Sequence, residues 1–217
     1  MPTKHKFTIF NQVMEQIPSY LVSRLSRIHG VDKKSRSFSP WSHVASMVYA
    51  QLSHALSLND ICDSLRHHSG ALATVRDAKP PSRNGLSHAN RVRNAAMAEA
   101  LFWETLSAIQ KRFPKFGMGR NYCGFPHRFK RIINVVDSTT IQLVANCIDW
   151  AKHRRRKAAA KCHMRLDLQT FLPRFALVKS AASHDSAEAV NLCAGMRAGE
   201  IAVFDKAYVD FAHLNAL

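Results

Sequence analysis

Acidic residues are scarce in this chain: 15 Asp and Glu face 31 Lys and Arg, a formal net charge of +16. Solubility needs far less, and so large an excess of one sign suits a polyanionic partner, nucleic acid first and an anionic membrane surface second. Another absence weighs against the membrane. No apolar run approaches the roughly 18 residues of a spanning helix, and Met1-Pro2-Thr3-Lys4-His5-Lys6 lacks the apolar core of a signal peptide. The chain is therefore assigned to the cytoplasm. No C-x-x-C pair occurs; Cys62, Cys123, Cys147, Cys162 and Cys193 are odd in number and widely spaced, the pattern of reduced structural thiols. His67-His68 and Cys162-His163 have no matching partner pair at zinc-ligand spacing, which argues against a structural zinc site. Internal repeats and low-complexity stretches are missing too. What is present, 217 residues with 47% hydrophobic content, suffices for a packed core in one large or two small domains.

The first half carries a helical period. Phe7, Phe10, Val13, Met14 and Ile17 recur at helical spacing up to Pro18, and Leu21, Val22, Leu25 and Ile28 do so up to Gly30. Ser39-Pro40 supplies a cap and a first-turn proline for a helix burying Trp41, Val44, Ala45, Val48 and Leu52. Ser57-Leu58-Asn59-Asp60 is a capping-box pattern that starts another helix, with Ile61 and Leu65 inward. Pro80-Pro81 breaks the chain, and Ser82 caps the next helix. Val92, Ala95, Phe102, Leu106, Ile109 and Phe113 then place one apolar stripe on a long helix ending near Pro114, with Phe102, Trp103 and Phe113 in the core. Residues 111–131 hold no acidic residue and are punctuated by glycine and proline, which predicts a basic linker.

Beyond Arg131 the period becomes two. Residues 132–144 form one strand-like run. Residues 161–168 alternate, with Cys162, Met164, Leu166 and Leu168 on one face and Lys161, His163, Arg165 and Asp167 on a polar face. Phe175, Leu177 and Val178 continue as a third strand, Asp185-Ser186-Ala187-Glu188 caps a helix through Met196, and Ile201–Phe204 is a fourth strand. Asp137 and Asp205 each follow an apolar stretch of strand. A carboxylate so placed is costly without a partner, and two of them in one small α/β unit suggest a shared divalent metal. Taken singly, each also reads as a residue capping the turn at a strand end. Asp210 reads as a surface residue, and His184-Asp185 as a helix cap before a ligand.

The order strand, strand, strand, helix, strand, with these two aspartates, resembles the ribonuclease H-like core of DDE (Asp-Asp-Glu) transposases. Val136-Asp137-Ser138-Thr139-Thr140 is similar to the first-Asp motif of cut-and-paste bacterial insertion-sequence transposases, and Phe204-Asp205-Lys206-Ala207-Tyr208 to their Asp-(Arg/Lys)-Gly-Tyr motif, with Ala207 in place of Gly. Upstream, Phe38-Ser39-Pro40-Trp41-Ser42-His43, Ala50-Gln51-Leu52-Ser53, Ser57-Leu58-Asn59-Asp60-Ile61 and Gly85-Leu86-Ser87-His88-Ala89-Asn90-Arg91 resemble the region preceding the catalytic domain in one branch of that family. The resemblance implies an α+β chain: a helical DNA-binding region over 1–113, a basic linker over 114–131, and over 132–217 an incomplete ribonuclease H-like α/β domain with a mixed sheet. It implies Mg2+ or Mn2+ held by Asp137 and Asp205, and metal-dependent cleavage and transfer of DNA strands. The family's third ligand, a glutamate with Tyr, Arg and Lys companions, has no counterpart up to Leu217. A truncated enzyme that binds metal weakly and cuts poorly or not at all is therefore expected.

Two basic constellations fit duplex DNA, as terminal inverted repeats and as target. Lys152, Arg154, Arg155, Arg156, Lys157, Lys161 and Arg165 cluster around the second strand, where phosphate contact would release counterions. Arg83, Asn84, His88, Asn90, Arg91 and Arg93 lie on a helix after a helical hairpin, and Arg and Asn are the side chains that pair bidentately with guanine and adenine edges. An ordinary polar helix face is the alternative there. The reading is a transposase acting on insertion-sequence ends, as a homodimer on DNA at the bacterial nucleoid. Its rivals are a noncatalytic DNA-binding regulator, an inactive remnant, and a general basic nucleic-acid binder.

Overall fold

The computed structural model describes residues 8–33, 37–117, 130–143, 152–153, 157–182, 184–209 and 215. The chain divides into two compact units, Met1–Phe116 and Gly117–Leu217.

The N-terminal unit is helical: α1 (Thr8–Glu15), α2 (Ser19–Ile28), α3 (Pro40–Leu52), α4 (Leu58–His67), α5 (Ser69–Ala73), α6 (Arg83–Val92) and α7 (Ala96–Arg112). Serine caps set three of the starts. Ser39 accepts from the Ser42 amide with Pro40 at the first helical position, Ser57 accepts from the Asp60 amide, and Ser82 accepts from the Gly85 amide at 3.0 Å. A Cβ at Gly85 would lie 2.9 Å from the Ser82 hydroxyl oxygen, so glycine keeps this last cap intact. One core joins the helices, with Met14, Leu21, Leu25, Leu65, Leu72 and Leu86 fully buried.

The single long helix predicted after Ser82 is two. Arg93 adopts extended angles (φ −76°, ψ 137°), and the Asn94 side-chain carbonyl oxygen accepts from the Ala96 amide, a local bond that competes with helix continuation and restarts the chain as α7. The break rotates the apolar stripe. Met97 and Leu101 face the core, whereas Phe102, Phe113 and Val92 are exposed and Trp103 is half-buried, so Phe102 and Phe113 are not core residues.

The C-terminal unit is a sheet with one covering helix: β1 (Ile133–Leu143), β2 (Lys152–His153), β3 (Lys157–Asp167), β4 (Pro173–Ser180), α8 (Asp185–Cys193) and β5 (Ile201–Phe204). β1 is central. It pairs antiparallel with β3 from Asn134↔Asp167 to Leu143↔Ala158, and parallel with β5 from Ile133↔Ile201 to Val136↔Phe204. β3's outer edge is shared by β2 at its start and β4 along the rest. This mixed sheet, with three antiparallel strands followed by a helix and a strand parallel to the first, is ribonuclease H-like, and the whole chain is α+β. Val136, Ala189, Leu192 and Tyr208 form the core beneath α8.

The alternation of β3 is as predicted, but its facing is reversed. His163, Arg165 and Asp167 are buried, Lys161 is half-buried on the same face, and Cys162, Met164 and Leu166 are only half-buried on the other. The polar residues tolerate burial because each has a partner outside its own strand. Arg165 donates to the Leu192 and Ala194 carbonyls at the end of α8, at 2.8 and 3.0 Å. Asp167, rather than lying on an outer face, accepts from the Gln169 and Thr170 amides and from Arg174 at 2.7 Å.

Burial alone would raise the Asp167 pKa, but the Arg174 hydrogen bond, the two amides and the Arg174 charge outweigh it and hold the carboxyl below its ordinary value. A depressed folded pKa stabilises the native state above the unfolded value of about 3.9, and this contribution vanishes as pH falls through the folded value. Asp167→Ala is expected to cost about 1–3 kcal/mol at pH 7, by leaving the Gln169 and Thr170 amides and the half-exposed Arg174 without their acceptor. It should also flatten the acid side of the stability curve. Urea unfolding of the full chain at stepped pH checks both, and an unchanged acid limb would assign the acid sensitivity to another carboxylate.

Candidate functional site

β5 stops at Phe204, opposite Val136, while β1 runs on to Leu143. Asp137 is therefore not a strand terminus; among the described residues it is the first position of the central strand beyond its ladder with β5. Asp205 follows Phe204 directly and opens a 3-10 turn, Lys206–Tyr208. The parallel register thus sets the two aspartates at neighbouring positions, one step past the last ladder pair. Both are exposed, and among the described residues neither forms an ion pair. The Asp137 carboxylate accepts from the Ser138 amide at 2.7 Å. Ala207 lies in a right-handed turn that any L-residue adopts, so a glycine is not needed there.

Side chains alternate along β1. Asn134, Val136 and Ser138 share the face covered by α8, and Asp137 stands on the opposite one. On the covered face lies a polar cluster that periodicity alone does not reveal. The Asp185 carboxylate is 2.9 Å from the Lys161 ammonium, 3.7 Å from His163 Nδ1, and accepts from the Ser138 hydroxyl at 3.5 Å. His163 Nδ1 is 3.0 Å from the Tyr208 hydroxyl. Burial lowers the His163 pKa; Asp185 opposes this and Lys161 reinforces it, so the imidazole is neutral near pH 7. Burial raises the Tyr208 pKa, with Asp185, Asp137 and Asp205 adding to the rise.

Asp185 does not cap α8 with its side chain; it is the helix's first residue and pairs with Lys161 instead. The cluster's signals in the sequence are the His184-Asp185 pair and the tyrosine of Asp205-Lys206-Ala207-Tyr208. Among the described residues no group of three His, Cys, Asp or Glu side chains is arranged to hold a metal ion, and no helix is long and apolar enough to cross a membrane. Cys62, Cys162 and Cys193 are free thiols.

The predicted DNA-contacting cations separate into two kinds. Lys161 and Arg165 are withdrawn from that role: the first is ion-paired and mostly buried, and the second is buried against α8. Lys152 and Lys157 lie in the paired segments of β2 and β3, whereas Arg154, Arg155, Arg156 and Asp210 fall outside the described residues, as do 118–129 of the predicted linker. On α6, Arg83, Asn84, His88 and Arg91 are exposed opposite the buried Leu86 and Ala89. Arg93 points inward instead. It donates to the Phe38 carbonyl, and to that of Ser39 at 3.4 Å, and stacks over the Phe38 ring. Asn90, though exposed, has its side-chain carbonyl oxygen 2.7 Å from His43 Nε2.

A helical unit precedes a ribonuclease H-like sheet with two exposed carboxylates where the parallel ladder ends. Residues 128–217 match the family described as transposase DDE domain, and residues 5–75 match a domain of unknown function, DUF4372. The match over residues 128–217 supports an insertion-sequence DDE transposase. No curated protein and no solved structure matches it.

The split among α6 cations is directly testable. Arg83→Ala and Arg91→Ala are expected to leave unfolding within about 0.5 kcal/mol of wild type. Each should weaken duplex binding and lower the log–log salt slope by about 1. Arg93→Ala is expected to destabilise the N-terminal unit by about 1–3 kcal/mol, through carbonyls left without their buried donor. Anisotropy titrations across a KCl series, beside thermal melts, check the assignment.

Proposed function

We propose that the C-terminal unit is the catalytic part of a transposase that cleaves and transfers DNA strands at the ends of an insertion sequence, with Asp137 and Asp205 as ligands of a divalent cation. The observation carrying this reading is the β1–β5 register, which ends at Val136↔Phe204 and leaves an exposed aspartate next on each strand. Two exposed carboxylates without cationic partners among the described residues form a donor set suited to a hard, oxygen-seeking ion such as Mg2+ or Mn2+. When bound, such an ion supplies charge stabilisation to the attacking and leaving oxygens of a phosphodiester displacement. The Ser138 amide orients the Asp137 carboxylate for that task.

The N-terminal unit would hold the DNA. The exposed face of α6, with Arg83, Asn84, His88 and Arg91, fits a duplex groove, and α6 packs on α4 as the second helix of a pair does. The basic residues around the β2–β3 connection, Lys152, Arg154, Arg155, Arg156 and Lys157, would meet phosphates. Work on both ends of one element calls for two copies, hence a homodimer on DNA.

A second reading, a noncatalytic DNA-binding regulator or inactive remnant, is favoured by one observation: no third acidic or imidazole side chain joins the pair among the described residues. Supercoiled DNA bearing the element's ends, incubated with the full chain and Mg2+ or Mn2+, separates the two. The transposase reading expects metal-dependent nicking that Asp137→Ala and Asp205→Ala each reduce about 100-fold or more, with low-salt DNA binding retained. Sequence-specific binding without nicking selects the regulator, and nicking undiminished in both variants removes the aspartates from the site.

A further inference from the structure

The turn that ends α2 is fixed by its own backbone. Gly30 is left-handed at φ 66°, and the Gly30 and Val31 amides donate back to the Arg27 and Ser26 carbonyls at 3.2 and 2.8 Å, the paired bonds of a glycine-terminated helix end. Val31 is buried in the core of the N-terminal unit and ties the turn to the helices behind it. Lys33 folds back over this turn: a Cβ on Gly30 would lie 3.7 Å from Lys33 Cε and 4.0 Å from its Nζ.

α6 faces the turn across a cleft of about 490 Å³, lined by His29, Lys33 and Ser37 from the segment between α2 and α3 and by Gly85, His88 and Arg93 from α6 and its end. Arg93 fastens the two walls, since it donates to the Phe38 carbonyl and stacks over the Phe38 ring. Carbonyls do not neutralise its charge, and no Asp or Glu lines the cleft. An ammonium, a guanidinium, two imidazoles and a hydroxyl around one space offer N–H and O–H donors to an anion with several acceptor oxygens.

The neighbourhood of the cleft selects the anion. His88 belongs both to the cleft and to the exposed face of α6 that carries Arg83, Asn84 and Arg91. A helix about 10–12 Å across fills a major groove about 12 Å wide, so what stands at its flank is the sugar–phosphate backbone. We infer that this cleft is a clasp for one backbone phosphate of the bound duplex, held jointly by Lys33 and His88, which sets the register of α6 in the groove while Arg83, Asn84 and Arg91 meet base edges. The inference rests on the reading of the N-terminal unit as the part that holds DNA. It divides the labour on α6, because a phosphate contact positions the helix and carries no sequence information, whereas base contacts specify.

Anisotropy titrations of the full chain, on a duplex carrying the element's end and on an unrelated duplex of equal length, test the clasp at several KCl concentrations. Lys33→Ala is expected to weaken both about five- to tenfold at 0.1 M KCl, the counterion contribution of one phosphate contact, and to lower the salt slope by about 1. The affinity ratio of the two duplexes and the melting temperature should stay as in wild type, and Lys33→Arg, which keeps a charged donor, should restore most of the binding. Because the two side chains hold one phosphate, Lys33→Ala combined with His88→Ala should lose less than the product of the single losses. Asn84→Ala, in contrast, should narrow the ratio between the duplexes. Affinity and slope unmoved by Lys33→Ala, single losses that multiply in the double variant, or a loss confined to the element's end overturns the clasp, and α6 keeps its groove if Arg83→Ala and Arg91→Ala still weaken binding. If those two variants are silent while the Lys33 and His88 effects appear as stated, the clasp stands and the placement of α6 in the groove fails. A chain that binds neither duplex at any salt concentration removes DNA as the partner and the clasp with it.

Discussion

β1 has eleven residues and β5 four, and the C-terminal unit is organised by that mismatch. A carboxylate in a central strand paired along both edges would sit in a closed ladder with no approach from the side. Among the described residues β5 ends at Phe204, so β1 is paired on both edges up to Val136 and on its β3 edge alone from Asp137 onward. The same strand is thus rigid where it carries the core and open where it carries the aspartate. The turn that ends β5 brings the second aspartate to that opening, so one termination produces both the gap and its second carboxylate.

The covered face of the sheet is fastened by charge as well as by apolar contact. α8 is held at both ends by β3. Lys161 meets Asp185 in its first turn, and Arg165 meets the Leu192 and Ala194 carbonyls at its last. Each contact also suits the helix dipole, with a carboxylate at the N-terminus and a cation at the C-terminus. Buried ion pairs add little net stability but penalise wrong arrangements strongly. A one-residue slip of β3 would put Cys162, Met164 and Leu166 under α8 and leave Asp185 and the helix-end carbonyls without their cations. The polar residues therefore select the register, and the apolar contacts of Val136, Ala189, Leu192 and Phe204 with Tyr208 supply the cohesion.

Much of this was legible in the residues. The serine caps at Ser39, Ser57 and Ser82 rest on rules that act within a single turn, and the structure contains all three caps. The β5 span of Ile201–Phe204 was legible because an apolar run bounded by glycine and aspartate has few alternatives. The failures depended on hydrogen-bond partners that periodicity does not reveal. Periodicity separates the two faces of β3 but cannot say which lies inside when His163, Arg165 and Asp167 find Tyr208, α8 and Arg174. The break at Arg93–Ala95 has no proline or glycine to mark it, only an asparagine bonding locally. At the site, neighbouring positions for Asp137 and Asp205 were implied by strand order, whereas Ser138, His163, Asp185 and Tyr208 became a cluster only once the middles of β1 and β3, a helix start and the turn after β5 were brought together.

The basic excess takes on a different meaning once the fold is known. Net charge invites the view that every cation faces a polyanion, yet several hold the protein together. Arg24 pairs with Glu104, Arg76 stacks on Trp41 and bonds the Ile17 carbonyl, and Arg93, Lys161, Arg165 and Arg174 are all engaged by carbonyls or carboxylates. The cations left for phosphate are those on exposed faces such as α6. Because the salt dependence of DNA binding counts neutralised phosphates and not formal charge, its slope would fall well below what +16 suggests. A modest slope is therefore compatible with DNA as the partner, since the internal arginines contribute through folding and the outward ones through binding.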